Sequence, residues 1–461
     1  MTATTSYLAE LAWLPTGTAA DVAIDVAAGR FTRVEPRGTP SPGAERLRGL
    51  VVPGAANAHS HAFHRALRGR THGGRGTFWT WREAMYRVAA TLDPDGYHAL
   101  AQAAFAEMAL AGFTSVGEFH YLHHGPAGRP YADTNAMGEA LIAAAREVGL
   151  RIALLDTCYL AGGIGEPPDG VQRRFSDGEV ARWADRADAL HAAHDGRDGV
   201  VVGAAVHSVR AVPAHAIGVV AAWADEREAP LHVHVSEQPA ENAACQAAYG
   251  RTPTQLLAEH GAVGSRTSAV HATHLTGEDL SILGEAAAFA CLCPTTERDL
   301  ADGIGPADRL LEAGARLSLG TDSHAVVDPF EEARAVELDL RLATRERGHL
   351  RVATLLDALT ADGQASLGFP DAGRLAAGAR ADLVAVDLGS VRTAGTDVDH
   401  AVATVLFAAS AADVTDVVAD GRRVVRDRQH HLGDIGALLS QRLPTVHGPP
   451  PGQPNGQEGT R

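Results

Sequence analysis

Histidine and acidic residues recur in this sequence where short apolar segments end. The pattern occurs four times, as His59-Ser-His61, His232-Val-His234 followed by Glu237, His271-Ala-Thr-His274, and Asp322-Ser-His324. Residues two apart on an extended segment point to the same side, so the imidazoles of His59 and His61 can reach one metal ion. Imidazole nitrogens together with a carboxylate suit Zn2+ and leave room for a water molecule. The pattern therefore predicts a nitrogen-rich metal centre.

Each of these segments has another interpretation when it is taken alone. A His-x-His pair is commonly two surface or core histidines, Asp322 could cap the helix that follows it, and Glu237 could be a solvated loop carboxylate. We interpret His232 as a core residue, because His234 lies nearer the end of its segment. The occurrence of suitable residues at four separate segment ends favours the metal centre over these alternatives.

The elements that must position these residues are eight short apolar runs, separated by segments of helical period. The runs begin at Leu50, Ser115, Arg151, Val200, Leu231, Ser268, Phe289 and Arg316. Strands that alternate with helices predict parallel βαβ units, and eight such units predict an α/β fold of the (β/α)8 TIM-barrel type. The active site of such a barrel lies at the carboxyl ends of its strands. We place the barrel at residues 53–371, with helices over 331–347 and 352–367 after the last strand.

Both ends of the chain predict β-structure of a different kind, in which apolar and polar residues alternate. The segments that carry this pattern are Asp21–Val26, Arg30–Glu35, Arg380–Asp387 and Val414–Gly421. We infer one small composite β-sandwich domain from residues 1–52 and 372–446, with the barrel inserted between its halves. The tail at 447–461 is rich in Pro, Gly and Gln, and we expect it to be disordered.

Composition and charge exclude several classes of function. The 461 residues carry a formal net charge of −16. Without a basic run, such a chain is a poor candidate for binding nucleic acid or an anionic membrane. No apolar stretch reaches the length of a membrane span, and the first residues lack the basic region of a signal peptide. We expect a cytoplasmic protein that forms a homodimer and acts on a small molecule.

Two residue types narrow the chemistry further. The sequence contains no Lys, so all 40 residues of the Lys and Arg class are Arg. This excludes Schiff-base chemistry, the phosphate-binding lysine of P-loops and metal centres bridged by a lysine. The four Cys do not suggest a secreted disulfide scaffold. We interpret Cys291 and Cys293 as small apolar side chains on a buried strand.

The chain resembles the amidohydrolase superfamily over nearly its whole length except the tail. The similarity rests on His59-Ser-His61, the His234 and Glu237 pair, His271, Gly320-Thr-Asp322 and Arg380-Ala-Asp-Leu-Val. The resemblance implies a hydrolase with one divalent metal ion, for which we expect Zn2+ and keep Fe2+ open. It implies His59, His61, His234 and Asp322 as metal ligands. It also implies Glu237 and Asp322 as proton carriers, with His271 orienting the attacking water.

Four longer blocks resemble the formimidoylglutamate deiminase family within this superfamily. They are Phe78–Tyr86, Glu118–His124, His207–Ala211 and Cys293–Glu297. The implied reaction is hydrolysis of N-formimidoyl-L-glutamate to N-formyl-L-glutamate and ammonia, in histidine degradation. Two substrate carboxylates require cationic or hydroxyl donors, and Arg210 is the best candidate for a bidentate contact. His207, Tyr121 and Arg82 are further candidates, although each has an alternative role as a core or surface residue.

His64 departs from the pattern of these relatives, in which we expect Gln at this position. A neutral imidazole offers one donor and one acceptor, so His64 could keep a substrate contact. Near pH 6.5 it would gain a positive charge that favours a dicarboxylate. The alternatives are a loop residue without a role and an extra metal ligand. We disfavour the ligand, because a helix after the strand should swing the ring away.

Two other functions remain open from the sequence. The first is another aminohydrolase of the same superfamily, acting on guanine, 8-oxoguanine or an adenosine derivative through an apolar pocket that stacks a base. The second is a metal-binding scaffold without activity. We rank the scaffold low, because Glu237, His271 and Asp322 are all present.

Overall fold

The computed structural model describes residues 4–72 and 76–443. Its strands are β1 (Thr5–Leu14), β2 (Gly17–Ala27), β3 (Arg30–Glu35), β4 (Glu45–Pro53), β5 (Ala55–Ser60), β6 (Phe113–His120), β7 (Arg151–Cys158), β8 (Val200–Val206), β9 (Leu231–Val235), β10 (Thr267–His271), β11 (Phe289–Leu292), β12 (Arg316–Leu319), β13 (Leu383–Val386), β14 (Val414–Ala419), β15 (Arg422–Arg426) and β16 (Gln429–His430). The tail predicted to be disordered, 447–461, lies outside the described residues.

The helices follow the strands along the chain. They are α1 (Phe78–Thr91), α2 (Pro94–Ala111), α3 (Ala136–Val148), α4 (Val180–His194), α5 (Ala214–Glu226), α6 (Pro239–Tyr249), α7 (Pro253–Glu259), α8 (Gly277–Glu285), α9 (Pro294–Leu300), α10 (Ala307–Ala313), α11 (Pro329–Thr344), α12 (Val352–Leu359), α13 (Ala361–Ser366), α14 (Ala401–Ala408) and α15 (Ile435–Arg442). None of these helices has the length and apolar content that a membrane span requires. The helix predicted over 352–367 is divided at Thr360, whose ψ of −93° is not helical.

Strands β5 to β12 form one eight-stranded parallel sheet in chain order. Its edges meet where the Asp322 amide donates to the His59 carbonyl at 3.0 Å and the His61 amide donates to the Asp322 carbonyl at 3.2 Å. Strands β6 and β7 are buried at every residue, as expected for a parallel sheet covered on both faces. The predicted TIM-type barrel is confirmed.

The remaining strands join both chain ends in a second sheet of eight strands, in the order β16-β15-β14-β13-β4-β1-β2-β3. The predicted β unit built from both ends is thus present. Its centre is the antiparallel pair of β4 and β13, in which Val52 lies opposite Val384. The apolar cluster on this sheet includes Tyr7, Ile24 and Phe31.

The apolar run that begins at Leu50 is divided between the two sheets. Residues up to Pro53 belong to β4, and the first barrel strand begins only at Ala55. Gly54 makes the transition, since its amide donates to the Asp382 carbonyl at 3.2 Å. A Cβ at this position would lie 2.4 Å from the Thr114 side chain, so only Gly fits between the two sheets.

Candidate active site

Three imidazoles converge at the carboxyl end of the barrel. His59 lies on β5, His61 directly follows that strand, and His234 lies on β9. The Nε2 atoms of His59 and His234 are 3.1 Å apart, and a ring nitrogen of His61 lies within 4.8 Å of both residues' nitrogens. All three side chains are buried. This is the His cluster that the spacing of the sequence predicted.

Backbone carbonyls orient two of these rings. His61 Nδ1 lies 3.0 Å from the Phe119 carbonyl oxygen, and His234 Nδ1 lies 3.0 Å from the His207 carbonyl oxygen. A carbonyl can only accept, so each Nδ1 carries the proton and each Nε2 directs its lone pair into the cluster. Burial lowers the pKa of His59 to about 3 and that of His61 to about 4. Neutral imidazoles with inward lone pairs are the donors that a divalent cation needs.

Asp322 supplies a carboxylate to the same cluster. Its Oδ1 lies 3.4 Å from His59 Nε2 and 3.3 Å from His61 Nε2. Its φ of 41° is unusual for a residue other than Gly and turns the chain sharply after β12. Burial opposes ionisation, but the hydrogen bond and charge interactions with the imidazoles outweigh it and hold the pKa of Asp322 well below its usual value. An ionised carboxylate thus completes a set of donors that fits Zn2+.

His271 faces this cluster from the end of β10 and is surrounded by carboxylates. Its Nε2 lies 3.8 Å from Glu237 Oε1 and 4.0 Å from Asp322 Oδ2. Its Nδ1 lies 3.4 Å from Glu297 Oε1. Burial lowers the pKa of His271, but the three carboxylates outweigh burial and raise it well above the usual value. The arrangement can hold and exchange a proton next to the His cluster.

One cavity of about 350 Å³ opens onto these residues. Its size lies within the roughly 300–1,000 Å³ that is usual for small-ligand pockets. The predicted site residues that line it are His61, His64, Arg82, Tyr121, His207, Arg210, His234, Glu237, His271 and Asp322. His59 lies beneath them and is fully buried. The structure therefore brings every predicted site residue to one place.

Two arginines line the cavity beyond the His cluster. Arg210 Nη2 donates to Glu237 Oε2 at 3.3 Å, and Arg210 Nε lies 4.0 Å from Glu241 Oε1. Burial lowers the pKa of Arg210, but the two carboxylates outweigh it, so the guanidinium stays charged. Arg82 lies on α1 with its guanidinium carbon 4.4 Å from the centre of the Trp79 indole ring. Both cations line the cavity and suit anionic groups.

The surroundings of His64 differ from the prediction. A short 3-10 helix, Ala62–Leu67, does follow the strand, but the His64 ring centre still lies 4.5 Å from that of His61. The ring does not swing away, because a 3-10 turn places residues three apart on the same side. His64 Nε2 bonds to the Tyr121 hydroxyl at 2.9 Å. Burial lowers the pKa of His64 well below its usual value, so the predicted positive charge near pH 6.5 is wrong.

Nearby histidines and cysteines take structural positions. His232 is fully buried, with Nε2 3.2 Å from the Ser366 carbonyl oxygen, as expected for a core residue. His274 Nε2 lies 2.8 Å from the Asp302 carbonyl oxygen. Cys291 and Cys293 pack with Ala58 and Val270 in a small apolar cluster.

Sequence reasoning missed three buried carboxyl groups around the site. Glu118 accepts from the Ser60 hydroxyl and the Ala62 amide, both at 2.7 Å, on either side of His61. Burial raises the pKa of Glu118 to about 8 and that of Glu241 to about 7. Glu297 accepts from the Cys293 amide at 2.8 Å and contacts His271. Glu118 and Glu297 lie in the blocks Glu118–His124 and Cys293–Glu297 but had no assigned role, and Glu241 follows Glu237 by four residues.

The family of the chain follows from comparison with known proteins. Residues 50–424 match the sequence pattern of the amidohydrolase family. This range spans most of the chain and includes every residue of the cluster. The chain belongs to the amidohydrolase family. It is accordingly a hydrolase that acts on carbon–nitrogen bonds, and the resemblance inferred from the sequence is confirmed.

Individual amidohydrolases are similar over nearly their full length. Formimidoylglutamate deiminase of Pseudomonas aeruginosa is 39% identical over 437 residues, which cover 92% of this chain and 95% of the relative. A crystal structure of an amidohydrolase from Brucella melitensis superposes with a TM-score of 0.89 at 34% identity, covering 96% and 99% of the two chains. An adenosine deaminase structure from Xanthomonas campestris, with bound zinc, has a TM-score of 0.82 at 25% identity and covers 95% and 96%.

Proposed function

We propose that the protein hydrolyses N-formimidoyl-L-glutamate to N-formyl-L-glutamate and ammonia. The observation that carries the proposal is that one cavity joins the His and Asp cluster to the guanidinium groups of Arg82 and Arg210. The cluster suits an amidine carbon that water must attack, and the arginines suit the two carboxylates of glutamate. The similarity to the Pseudomonas aeruginosa deiminase supports the same substrate.

The metal end would hold one divalent ion, for which we propose Zn2+. His59, His61, His234 and Asp322 would bind it through the nitrogens and the carboxylate oxygen that face one another. When bound, such an ion supplies a water nucleophile that ionises near neutral pH. The Phe119 and His207 carbonyls would keep the rings in the required tautomer.

The reaction also requires proton transfers, which the chain's own carboxylates can make. Water adds its oxygen to the amidine carbon, the bond to the terminal nitrogen breaks, and that nitrogen leaves as ammonia. Glu237 and Asp322 would accept the protons of the water and pass them to the leaving nitrogen. His271 lies about equally far from both carboxylates, at 3.8 and 4.0 Å, and would orient the attacking water.

The arginine side chains that line the cavity would bind the glutamate portion. Arg210 would make the bidentate contact to one carboxylate, and Arg82 would face the second. Tyr121, His207 and His64 would add hydrogen bonds, and the bond between His64 and Tyr121 would fix both side chains against the cavity wall. The aromatic side chains around them would exclude water from the contact.

The test is ammonia release from N-formimidoyl-L-glutamate, measured in parallel with guanine, 8-oxoguanine and an adenosine derivative. We expect turnover of the dicarboxylate alone, since two buried or half-buried cations line the cavity. Preferred turnover of a purine would favour the rival aminohydrolase, and binding without turnover of any substrate would favour the scaffold.

Metal stoichiometry and assembly provide separate checks. Elemental analysis of protein prepared without chelator should give about one equivalent of zinc per chain, as three His and one carboxylate imply. A requirement for two equivalents would contradict the mononuclear centre. The homodimer and the cytoplasmic location remain predictions, and light scattering of the purified protein tests the dimer.

A further inference from the structure

The arginine proposed to bind substrate is bonded to the carboxylate proposed to move protons. Arg210 Nη2 donates to Glu237 Oε2 at 3.3 Å, while Glu237 Oε1 faces His271 Nε2 at 3.8 Å. Glu237 is buried and the Arg210 side chain is 16% exposed, so little water competes for this charge-assisted bond. A carboxylate that remains paired with a guanidinium is a poorer proton acceptor than a free one. The hydrogen bond from Arg210 therefore competes with proton transfer to Glu237.

A second carboxylate lies behind the arginine. Glu241 Oε2 accepts from the Glu237 amide at 3.3 Å, and Oε1 lies 4.0 Å from Arg210 Nε. Neither Arg210 Nε nor Glu241 Oε1 has a hydrogen-bond partner in the described part of the chain, and both atoms are buried. An unpaired donor and an unpaired acceptor that face each other in this way attract strongly at low dielectric. Glu241 can thus hold the Nε edge of the Arg210 guanidinium while the Nη edge remains available to a ligand in the cavity.

We propose that Arg210 couples recognition of a substrate carboxylate to release of Glu237, and that Glu241 is the positioning residue for this exchange. The inference rests on the proposed function and extends it to specificity. A substrate carboxylate takes over the Nη edge of Arg210, the guanidinium settles on Glu241 through Nε, and Glu237 becomes free to accept a proton. Binding energy from a remote part of the substrate is thereby used at the reacting centre.

This coupling predicts how the enzyme rejects amidines that lack a carboxylate. Such a molecule can reach the His cluster, but it leaves Glu237 bonded to Arg210. Hydrolysis of such an amidine should therefore show a lower kcat and not only a higher KM. In a binding site without the coupling, loss of the carboxylate would raise KM and leave kcat unchanged, because the carboxylate would contribute equally to the ground state and the transition state.

The first experiment uses the zinc-loaded wild-type protein and a series of truncated substrates. N-propylformamidine is the proposed substrate without both carboxylates, and its hydrolysis yields N-propylformamide and ammonia. N-formimidoyl-4-aminobutyrate and N-formimidoyl-2-aminobutyrate each retain one carboxylate. We expect removal of the carboxylate that Arg210 binds to lower kcat by about tenfold or more, the effect of one charge-assisted bond. Removal of the other should raise KM only.

The second experiment uses variants with N-propylformamidine as substrate. Arg210→Met frees Glu237 permanently, so we expect it to raise kcat for this amidine about tenfold while it lowers kcat/KM for N-formimidoyl-L-glutamate. Arg173→Met is the matched control, because the Arg173 side chain is 58% exposed and its guanidinium pairs with Asp169 at the surface. We expect it to change neither reaction.

Glu241→Gln tests the positioning residue. We expect it to lower kcat for N-formimidoyl-L-glutamate about tenfold more than kcat for N-propylformamidine, because only the first substrate must draw Arg210 from Glu237 onto Glu241. A role of Glu241 in folding alone would change both values equally.

The outcomes separate this inference from the proposed function. Wild-type protein that releases no ammonia from N-formimidoyl-L-glutamate contradicts the proposed function. Wild-type turnover of that substrate, together with equal kcat for the truncated amidines and no gain in Arg210→Met, contradicts the coupling alone.

Discussion

Two arginines at opposite ends of the barrel, one buried and one half-buried, show how differently the fold uses the same side chain. Arg151 opens β7 and joins the barrel to the terminal sheet. Its terminal nitrogens donate to both oxygens of Asp382, to Asp420 and to Gln364, at 2.5–3.0 Å. Arg210 lies at the carboxyl end, where its terminal nitrogens make one hydrogen bond within the described residues, of 3.3 Å; Nε lacks a partner in both arginines.

The difference separates a structural ion pair from a binding group. A buried guanidinium with every terminal nitrogen bonded is held in one geometry and has no capacity for a ligand. A buried guanidinium with few bonds is costly to fold and retains that capacity. Backbone strain adds to this cost at the carboxyl end, where His271 and Asp322 have φ angles of 67° and 41°.

Asp322→Asn should have the largest effect on the chemistry at the carboxyl end. An amide is neutral and cannot accept a proton in the way a carboxylate can, so we expect kcat to fall about 10³-fold. The far-UV circular dichroism spectrum should remain that of the parent, because the backbone bonds to His59 and His61 do not involve the side chain. A variant with more than a tenth of parental turnover would contradict the role of Asp322.

Arg151→Met should have the largest effect on stability. It leaves Asp382 buried without its partner, so we expect the free energy of unfolding to fall by about 3–5 kcal/mol. Urea unfolding measures this change, and exposed Arg173→Met should stay within about 0.5 kcal/mol of the parent. KM of the folded fraction should not change, since Arg151 lies far from the cavity lining. A loss of stability no larger than that of Arg173→Met would remove the contrast between the two arginines.

Arg210→Met should affect substrate use more than stability. Loss of a charge-assisted contact to a buried carboxylate costs about 2–5 kcal/mol, which appears in kcat/KM for N-formimidoyl-L-glutamate. Zinc content should remain that of the parent, because within the described residues the polar partners of Arg210 are Glu237 and Glu241 and not the three clustered His rings. An unaltered kcat/KM would place Arg210 outside the substrate contact.

Glu118→Gln should change how the free energy of unfolding depends on pH, which tests the cost of a buried carboxyl group at the carboxyl end of the barrel. Burial raises the pKa of Glu118 from its usual 4.5 to about 8, so between these values ionisation favours the unfolded chain. Stability that the parent has below pH 4.5 is therefore lost as the pH rises towards 8. Gln has no such ionisation, so we expect the unfolding free energy of the parent to fall relative to the variant over this range. A constant difference between pH 5 and 8 would show that Glu118 is ionised in the folded protein.

His64→Gln should have the smallest effect. A Gln amide can keep the bond to Tyr121, and we expect kcat/KM within about threefold of the parent. Because burial keeps His64 neutral, the ratio of variant to parent should not change between about pH 6 and pH 8. A drop in zinc content would instead identify His64 as a metal ligand.

The sequence predicted the barrel and the cluster because both depend on local periodicity. Alternation of apolar strands with helices is a repeating pattern, and His59 and His61 share a side through the two-residue period of a strand. The carboxyl ends of parallel strands meet at one face, so His234, His271 and Asp322 could be assigned to one site without knowledge of their distances. Arg210 followed in the same way from its position after β8.

Only the tertiary structure decided which carboxyl groups surround that site and how its side chains pair. Glu118 reaches Ser60 from the neighbouring strand β6, and Glu297 reaches His271 from helix α9, through contacts that no spacing along the sequence predicts. The 3-10 turn that keeps His64 beside His61 depends on packing against the neighbouring Tyr121. The sequence by itself thus determined which residue types stand at each strand end. Closure of the barrel decided their distances, burial and charge, since these depend on contacts between segments that no local pattern encodes.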